Sequence, residues 1–134
     1  IQETFSNIVS IYKEQAREKK LTLSLQGESQ AKVRVVENHL EIVLGNLIQN
    51  AINSTETGDI NVTLLENGFS VQDTGKGIHA EDVQQIIKGN YHDYNNTGNG
   101  LGLFLVKNIC DIYCFKLEIE SKVDVGSIFS VSFH

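Results

Sequence analysis

Between Leu40 and Val71 the hydrophobic period of this chain changes from that of a helix to that of a strand. Leu40, Val43, Leu44, Leu47, Ile48 and Ala51 recur at helical spacing and make one apolar stripe. Ile60, Val62 and Leu64 then alternate, Asn67-Gly68 supplies the residues a tight hairpin turn wants, and Phe69 and Val71 alternate down a returning strand. A one-sided helix and a one-sided hairpin each leave an apolar face that water penalises. Covering one with the other is the economical solution, so the chain is constrained to lay helices on a sheet.

The flanks read the same way. Phe5, Ile8, Val9, Tyr12 and Ala16 predict a first helix that Lys19-Lys20 closes, before Leu21, Leu23 and Leu25 alternate as a half-buried strand. Ala31, Val33 and Val35 predict a second strand. Asn38, with Glu41 placed to return the hydrogen bond, predicts the cap of a helix starting near His39. A short helix is expected over Glu81 to Ile87, and a mobile polar loop from Lys88 to Asn99. Leu101 to Tyr113 is apolar almost all round, which predicts a buried helix. Leu117 with Ile119, and then Ile128 to Phe133, supply two final strands joined by a turn at Asp124 to Gly126. The order α-β-β-α-β-β-α-α-β-β predicts an α+β fold, a two-layer sandwich of one mixed sheet with its helices packed on one face.

The 134 residues suit a single domain, 1–134, with no proline, repeat or low-complexity stretch to mark a linker. A net charge of −6 argues against nucleic acid or an anionic membrane as partner, so a phosphate ligand would need local help. No apolar run reaches the length of a membrane span and no signal peptide opens the chain. The start at Ile1, with no methionine anywhere, reads as an excerpt from a longer protein. Cys110 and Cys114 lack companions of metal-ligand spacing and are expected to be buried as small hydrophobes, which together with the missing disulfide framework points to a cytosolic setting.

Four short motifs carry the chemistry. Asn46, Asn50 and Asn53 form a polar stripe bordering the apolar face of their helix, at a cost in helix stability. They are either a solvated edge, side chains bonded to nearby backbone, or carboxamides whose oxygens ligate a hard cation such as Mg²⁺. Asp73-Thr74-Gly75-Lys76-Gly77 sets a carboxylate at a strand end beside two glycines that allow a sharp turn and close approach of a ligand; alone it is also a plain turn. Gly98-Asn99-Gly100-Leu101-Gly102-Leu103 ends a polar stretch and opens a helix, so bare amides and the positive helix end can cradle phosphates, or serve only as a hinge. Gly126-Ser127-Ile128-Phe129 offers a turn glycine, a hydroxyl and strand residues.

In that order, the four motifs resemble the nucleotide-binding boxes of the catalytic, ATP-binding domain of sensor histidine kinases, in the superfamily that also holds gyrase, heat-shock chaperone ATPases and mismatch-repair ATPases. The resemblance covers nearly the whole chain. It implies the fold of that domain, ATP and Mg²⁺ as cofactors, Asn50 as metal ligand, Asp73 as reader of the adenine amino group, Gly77 as the place where the base approaches, and Ser127 as a partner of Asp73. It further implies Asn53, Gly75, Gly98, Gly100, Leu101, Gly102 and Leu103 as nucleotide-binding. At Asn46 the hydrolysing members of the superfamily carry a glutamate that serves as base for water. An asparagine cannot accept a proton at neutral pH, which favours phosphotransfer over hydrolysis and makes Asn46 the catalytic discriminator.

The nucleophile of such kinases is a histidine on a separate helical hairpin, and none of His39, His79, His92 or His134 stands in that context. The implied partners are therefore a phosphoacceptor and dimerisation domain of the same protein and a downstream response regulator, within a full-length homodimer whose cytoplasmic portion this is, membrane-anchored or not. The chain departs from the pattern where the family carries a basic residue (Asn53), an adenine-packing aromatic (Ser54) and an aromatic pair (Ile87 and Asn90), and no Lys or Arg occurs from Gly89 through Val106. Positive charge near the outer phosphates is scarce, with Lys88, Lys107 or a partner domain left to supply it. Two other readings stay open, a nucleotide-sensing or docking module with a degenerate loop, and an ATPase of the same superfamily.

Overall fold

The structure is a computed structural model that describes residues 1–88 and 100–133. Helix α1 (Gln2–Glu18) buries Phe5, Ile8, Val9 and Ala16 and stops where Lys20 turns left-handed, letting the Leu21 amide reach back to the Ala16 carbonyl. Strand β1 (Thr22–Gln26) follows, then α2 (Glu37–Ser54), β2 (Asp59–Leu65), β3 (Gly68–Asp73), α3 (Ala80–Ile87), α4 (Gly100–Tyr113), β4 (Lys116–Lys122) and β5 (Gly126–Ser132).

One five-stranded sheet runs β1-β2-β3-β5-β4, with β1 and β2 parallel and the other neighbours antiparallel. The mixed sheet expected from the sequence is thus present, and its parallel pair is joined across α2. Leu23, Ile60, Val62, Leu64, Phe69, Val71, Phe129 and Val131 bury the sheet's inner face under the helices, where α2 lies between α1 and α4. The outer face is polar. Along edge strand β4 it carries Lys116, Glu118, Glu120 and Lys122, all exposed.

Several expectations are corrected. Ala31, Val33 and Val35 are half-buried against the core, yet residues 27–36 form no strand. Alternation records which side chains turn inward; a ladder also needs a neighbouring backbone, and β1 pairs with β2 instead. Helix α2 starts at Glu37 and makes no side-chain cap through Asn38; the Val36 carbonyl accepts from His39 and Leu40, while the Val36 amide donates to the Tyr113 hydroxyl. The hairpin pairs Leu65 with Gly68, so the turn residues are Glu66 and Asn67. Gly68 lies inside β3 because a Cβ there would sit 2.1 Å from the Val131 carbonyl oxygen of β5. Helix α4 is not buried all round, since Ile112 is 70% exposed and Phe104 and Leu105 are also partly open to solvent. Cys110 is buried as expected, but Cys114 is exposed, in the left-handed position just past α4. The expected loop from Lys88 to Asn99 lies, beyond Lys88, outside the described residues.

Candidate nucleotide-binding site

The three motifs within the described residues converge at one end of the sheet. Asp73 closes β3 and pairs in register with Ser127 of β5, which pairs with Ser121 of β4. Consecutive partners across a sheet point to the same face, so an otherwise apolar inner face ends in the polar row Asp73, Ser127, Ser121. Asp73 is 3% exposed. Its Oδ1 accepts the Gly75 amide at 2.8 Å, and the Ser127 backbone lies beside it in the ladder. Burial pushes the Asp73 carboxyl above its ordinary value, and the backbones of Gly75 and Ser127 pull it partway back.

The turn after Asp73 is held tightly. A Cβ on Gly75 would lie 2.4 Å from the Ser54 carbonyl oxygen and 2.9 Å from Asp73 Oδ1, so only glycine lets the turn lie against the end of α2. The Lys76 amide donates to that same Ser54 carbonyl, and the Ile78 amide donates to Ser121 Oγ at 2.7 Å. Gly77 has φ +73°, a left-handed backbone, with the Lys122 carbonyl oxygen 2.2 Å from where a Cβ would be. The Asp-Thr-Gly-Lys-Gly segment is therefore fastened to both α2 and the β4–β5 hairpin.

On α2 the three asparagines differ. Asn53 is exposed and accepts from Gln49 at 3.0 Å. Asn46 is half-buried; its carboxamide nitrogen donates to the Ile42 carbonyl at 2.6 Å, and its Oδ1 faces α4. A Cβ on Gly102 would stand 2.6 Å from that oxygen, so the first and third motifs touch through the one glycine that permits it. Asn50 is 8% exposed, and its carboxamide makes no hydrogen bond to the described residues. A carboxamide oxygen is a hard donor of the kind Mg²⁺ takes.

Leu103 is buried in the hydrophobic core. Gly100 and Leu101 open α4, while Gly98 lies outside the described residues. Lys107 is tied to Asp111 one turn along its own helix, at 2.5 Å, and Lys88 is exposed at the end of α3. Among the described residues no group of three or more His, Cys, Asp or Glu side chains could hold a metal. Ser121 escaped the sequence reading. A hint lay in its place one strand before the Gly-Ser motif, but its role arises only from the pairing of β4 with β5.

A sequence profile described as histidine kinase-, DNA gyrase B- and HSP90-like ATPase matches residues 35–134. The chain belongs to that ATPase family. Within it, the chain is similar to sensor kinases. A probable C4-dicarboxylate sensor kinase of Halalkalibacterium halodurans is 32% identical over 106 residues, 72% of this chain and 20% of its own length. Sensor histidine kinase YclK of Bacillus subtilis is 29% identical over 139 residues, 96% of this chain and 29% of its own length. The chain thus spans under a third of these curated relatives.

Among solved structures, full-length ShkA in complex with AMPPNP superposes with a TM-score of 0.85 at 23% identity, over 99% of this chain and 30% of that one. The catalytic domain of histidine kinase ThkA superposes with a TM-score of 0.75 at 25% identity, over 98% of this chain and 92% of that one. The family member described here therefore has the fold and motifs of a histidine-kinase ATP-binding catalytic domain.

Proposed function

We propose that this chain binds Mg·ATP and presents the terminal phosphate to a histidine on another domain of the same protein. The observation that carries the reading is that α2, which bears Asn50, meets the other motifs at Asn46 against Gly102 and at Ser54 against the turn of Asp73, whose strand partner is Ser127. Asp73 and Ser127 would face the adenine edge, with Gly75 and Gly77 keeping the turn close. The carboxamide oxygen of Asn50 would hold Mg²⁺, and backbone amides around Gly98, Gly100 and Gly102 would receive the phosphates. Bound Mg²⁺ supplies neutralisation of charge on the transferring phosphoryl group.

Asn46 has its amide nitrogen committed to Ile42 and its oxygen against α4. It takes no proton, so this chain's residues do not prepare water for attack by that route, and phosphoryl transfer is favoured over hydrolysis. The pairing of Lys107 with Asp111 favours one second reading, a nucleotide-sensing or docking module. With that cation engaged, transfer would depend on charge from a partner domain. On the first reading the phosphoacceptor domain, a response regulator and a homodimeric, cytoplasmic setting complete the pathway. No helix of the described residues is long and apolar enough to cross a membrane.

Calorimetry of the chain with ATP, with and without Mg²⁺, tests the binding half. Saturable, Mg²⁺-dependent binding tighter than about 1 mM is expected, and none at that concentration would overturn the assignment. Adding the histidine-bearing domain of the same protein tests the transfer half. Acid-labile phosphate on that domain is expected, and its absence with intact ATP binding would leave the sensing module as the function.

A further inference from the structure

Ser121 sits across from Ser127 on the face that carries Asp73. Its Oγ accepts the Ile78 amide at 2.7 Å, lies 3.2 Å from the Gly126 carbonyl oxygen and 2.7 Å from Ser127 Oγ. A serine hydroxyl has one hydrogen and two acceptor lone pairs. The Ile78 amide takes one lone pair. The Gly126 carbonyl can only accept, so the Ser121 hydrogen goes to it. All three contacts are satisfied together when Ser127 donates its hydrogen into the second lone pair of Ser121, an arrangement that either hydroxyl's geometry allows. With that hydrogen committed, the Ser127 oxygen has only lone pairs left to offer beside the Asp73 carboxylate.

We propose that Ser121 is a specificity-determining positioning residue, which fixes the polarity of the Ser127 hydroxyl and so makes the Asp73–Ser127 edge acceptor-only. Such an edge welcomes the amino group of a 6-amino purine nucleotide and repels the carbonyl oxygen of a 6-oxo one. Without Ser121, the Ser127 hydroxyl is free to turn and donate to an oxo group, and the Ile78 amide loses its partner. This deepens, and rests on, the nucleotide-binding reading above.

ATP and ITP differ at that group. Calorimetry of the chain with each, in Mg²⁺, should show wild type preferring ATP and Ser121→Ala narrowing the ratio by about tenfold, the scale of one hydrogen bond. Ser121→Thr keeps the hydroxyl and should keep the ratio. Ser127→Ala should also narrow it, and adding Ser121→Ala to Ser127→Ala should narrow it no further, because both act through one hydroxyl. A merely structural role would weaken both nucleotides alike. Should Ser121→Ala not fold, Ser121→Cys, with a far weaker acceptor of similar size, is read the same way. Wild type that binds no ATP would overturn the nucleotide reading itself. Wild type that prefers ATP, beside a Ser121→Ala variant of unchanged ratio, would overturn the role of Ser121 alone.

Discussion

A carboxylate 3% exposed at the end of β3 titrates unlike one in water. Because burial raises its value, folded Asp73 holds its proton more tightly than an unfolded aspartate. Its contribution to stability is therefore full below the ordinary value of 3.8 and is lost as pH rises through the folded value. Asp73→Asn carries no such loss. Urea denaturation from about pH 4 to pH 7 should show the variant gaining on wild type as pH rises, while it binds ATP with most of its preference over GTP gone. A variant that discriminated as wild type does would remove the adenine role. Asn46 invites the complementary change. Wild type should turn over ATP very slowly, whereas Asn46→Glu restores a group able to take a proton, and a coupled phosphate-release assay reads both. Rapid steady hydrolysis by wild type would overturn the transfer reading and promote an ATPase.

Two helix glycines separate local cost from packing. A Cβ at Gly102 would stand 2.6 Å from Asn46 Oδ1, an atom held by the bond of its own carboxamide to Ile42. A Cβ at Gly45 would meet the Tyr12 hydroxyl at 2.7 Å, the far end of a half-buried side chain on α1. Alanine gains about 1 kcal/mol over glycine inside a helix, and overpacking costs about 1–3 kcal/mol. Gly45→Ala should come out near neutral in chemical denaturation because Tyr12 can shift. Gly102→Ala should destabilise by about 1–2 kcal/mol and weaken ATP binding, since α4 must move off α2. The stripe from Leu40 to Ala51 and the alternation from Ile60 to Val71 were legible because burial imposes those periods directly. Backbone pairing was not, which is why residues 31–35 alternate without a strand and the hairpin turn falls one residue early. Of the candidate site, Asn50, Asp73 and Ser127 lie in short motifs that the sequence displays. Ser121 does not, because its meaning is created by a partner strand.

At the scale of the whole molecule, a ligand that binds only the folded chain stabilises it by about 2.7 kcal/mol at a hundredfold excess over Kd. For a domain of this size that raises Tm by roughly 10 °C. Differential scanning calorimetry with Mg·ATP should show it, and Asn50→Ala should abolish most of the shift while keeping the unliganded Tm within about 2 °C, since its carboxamide bonds to no described residue. The outward face of β4 bears on how such molecules meet one another. Its order Lys116, Glu118, Glu120, Lys122 reads the same from either end. Two copies adding edge to edge, parallel in register or antiparallel about Ile119, would set lysine against lysine and glutamate against glutamate. Like charges directly opposed repel, and an edge so marked discourages the sheet-to-sheet growth that an open strand otherwise templates. Concentrated chain should stay soluble at low salt, and Glu118→Thr with Glu120→Thr should bring on concentration-dependent scattering.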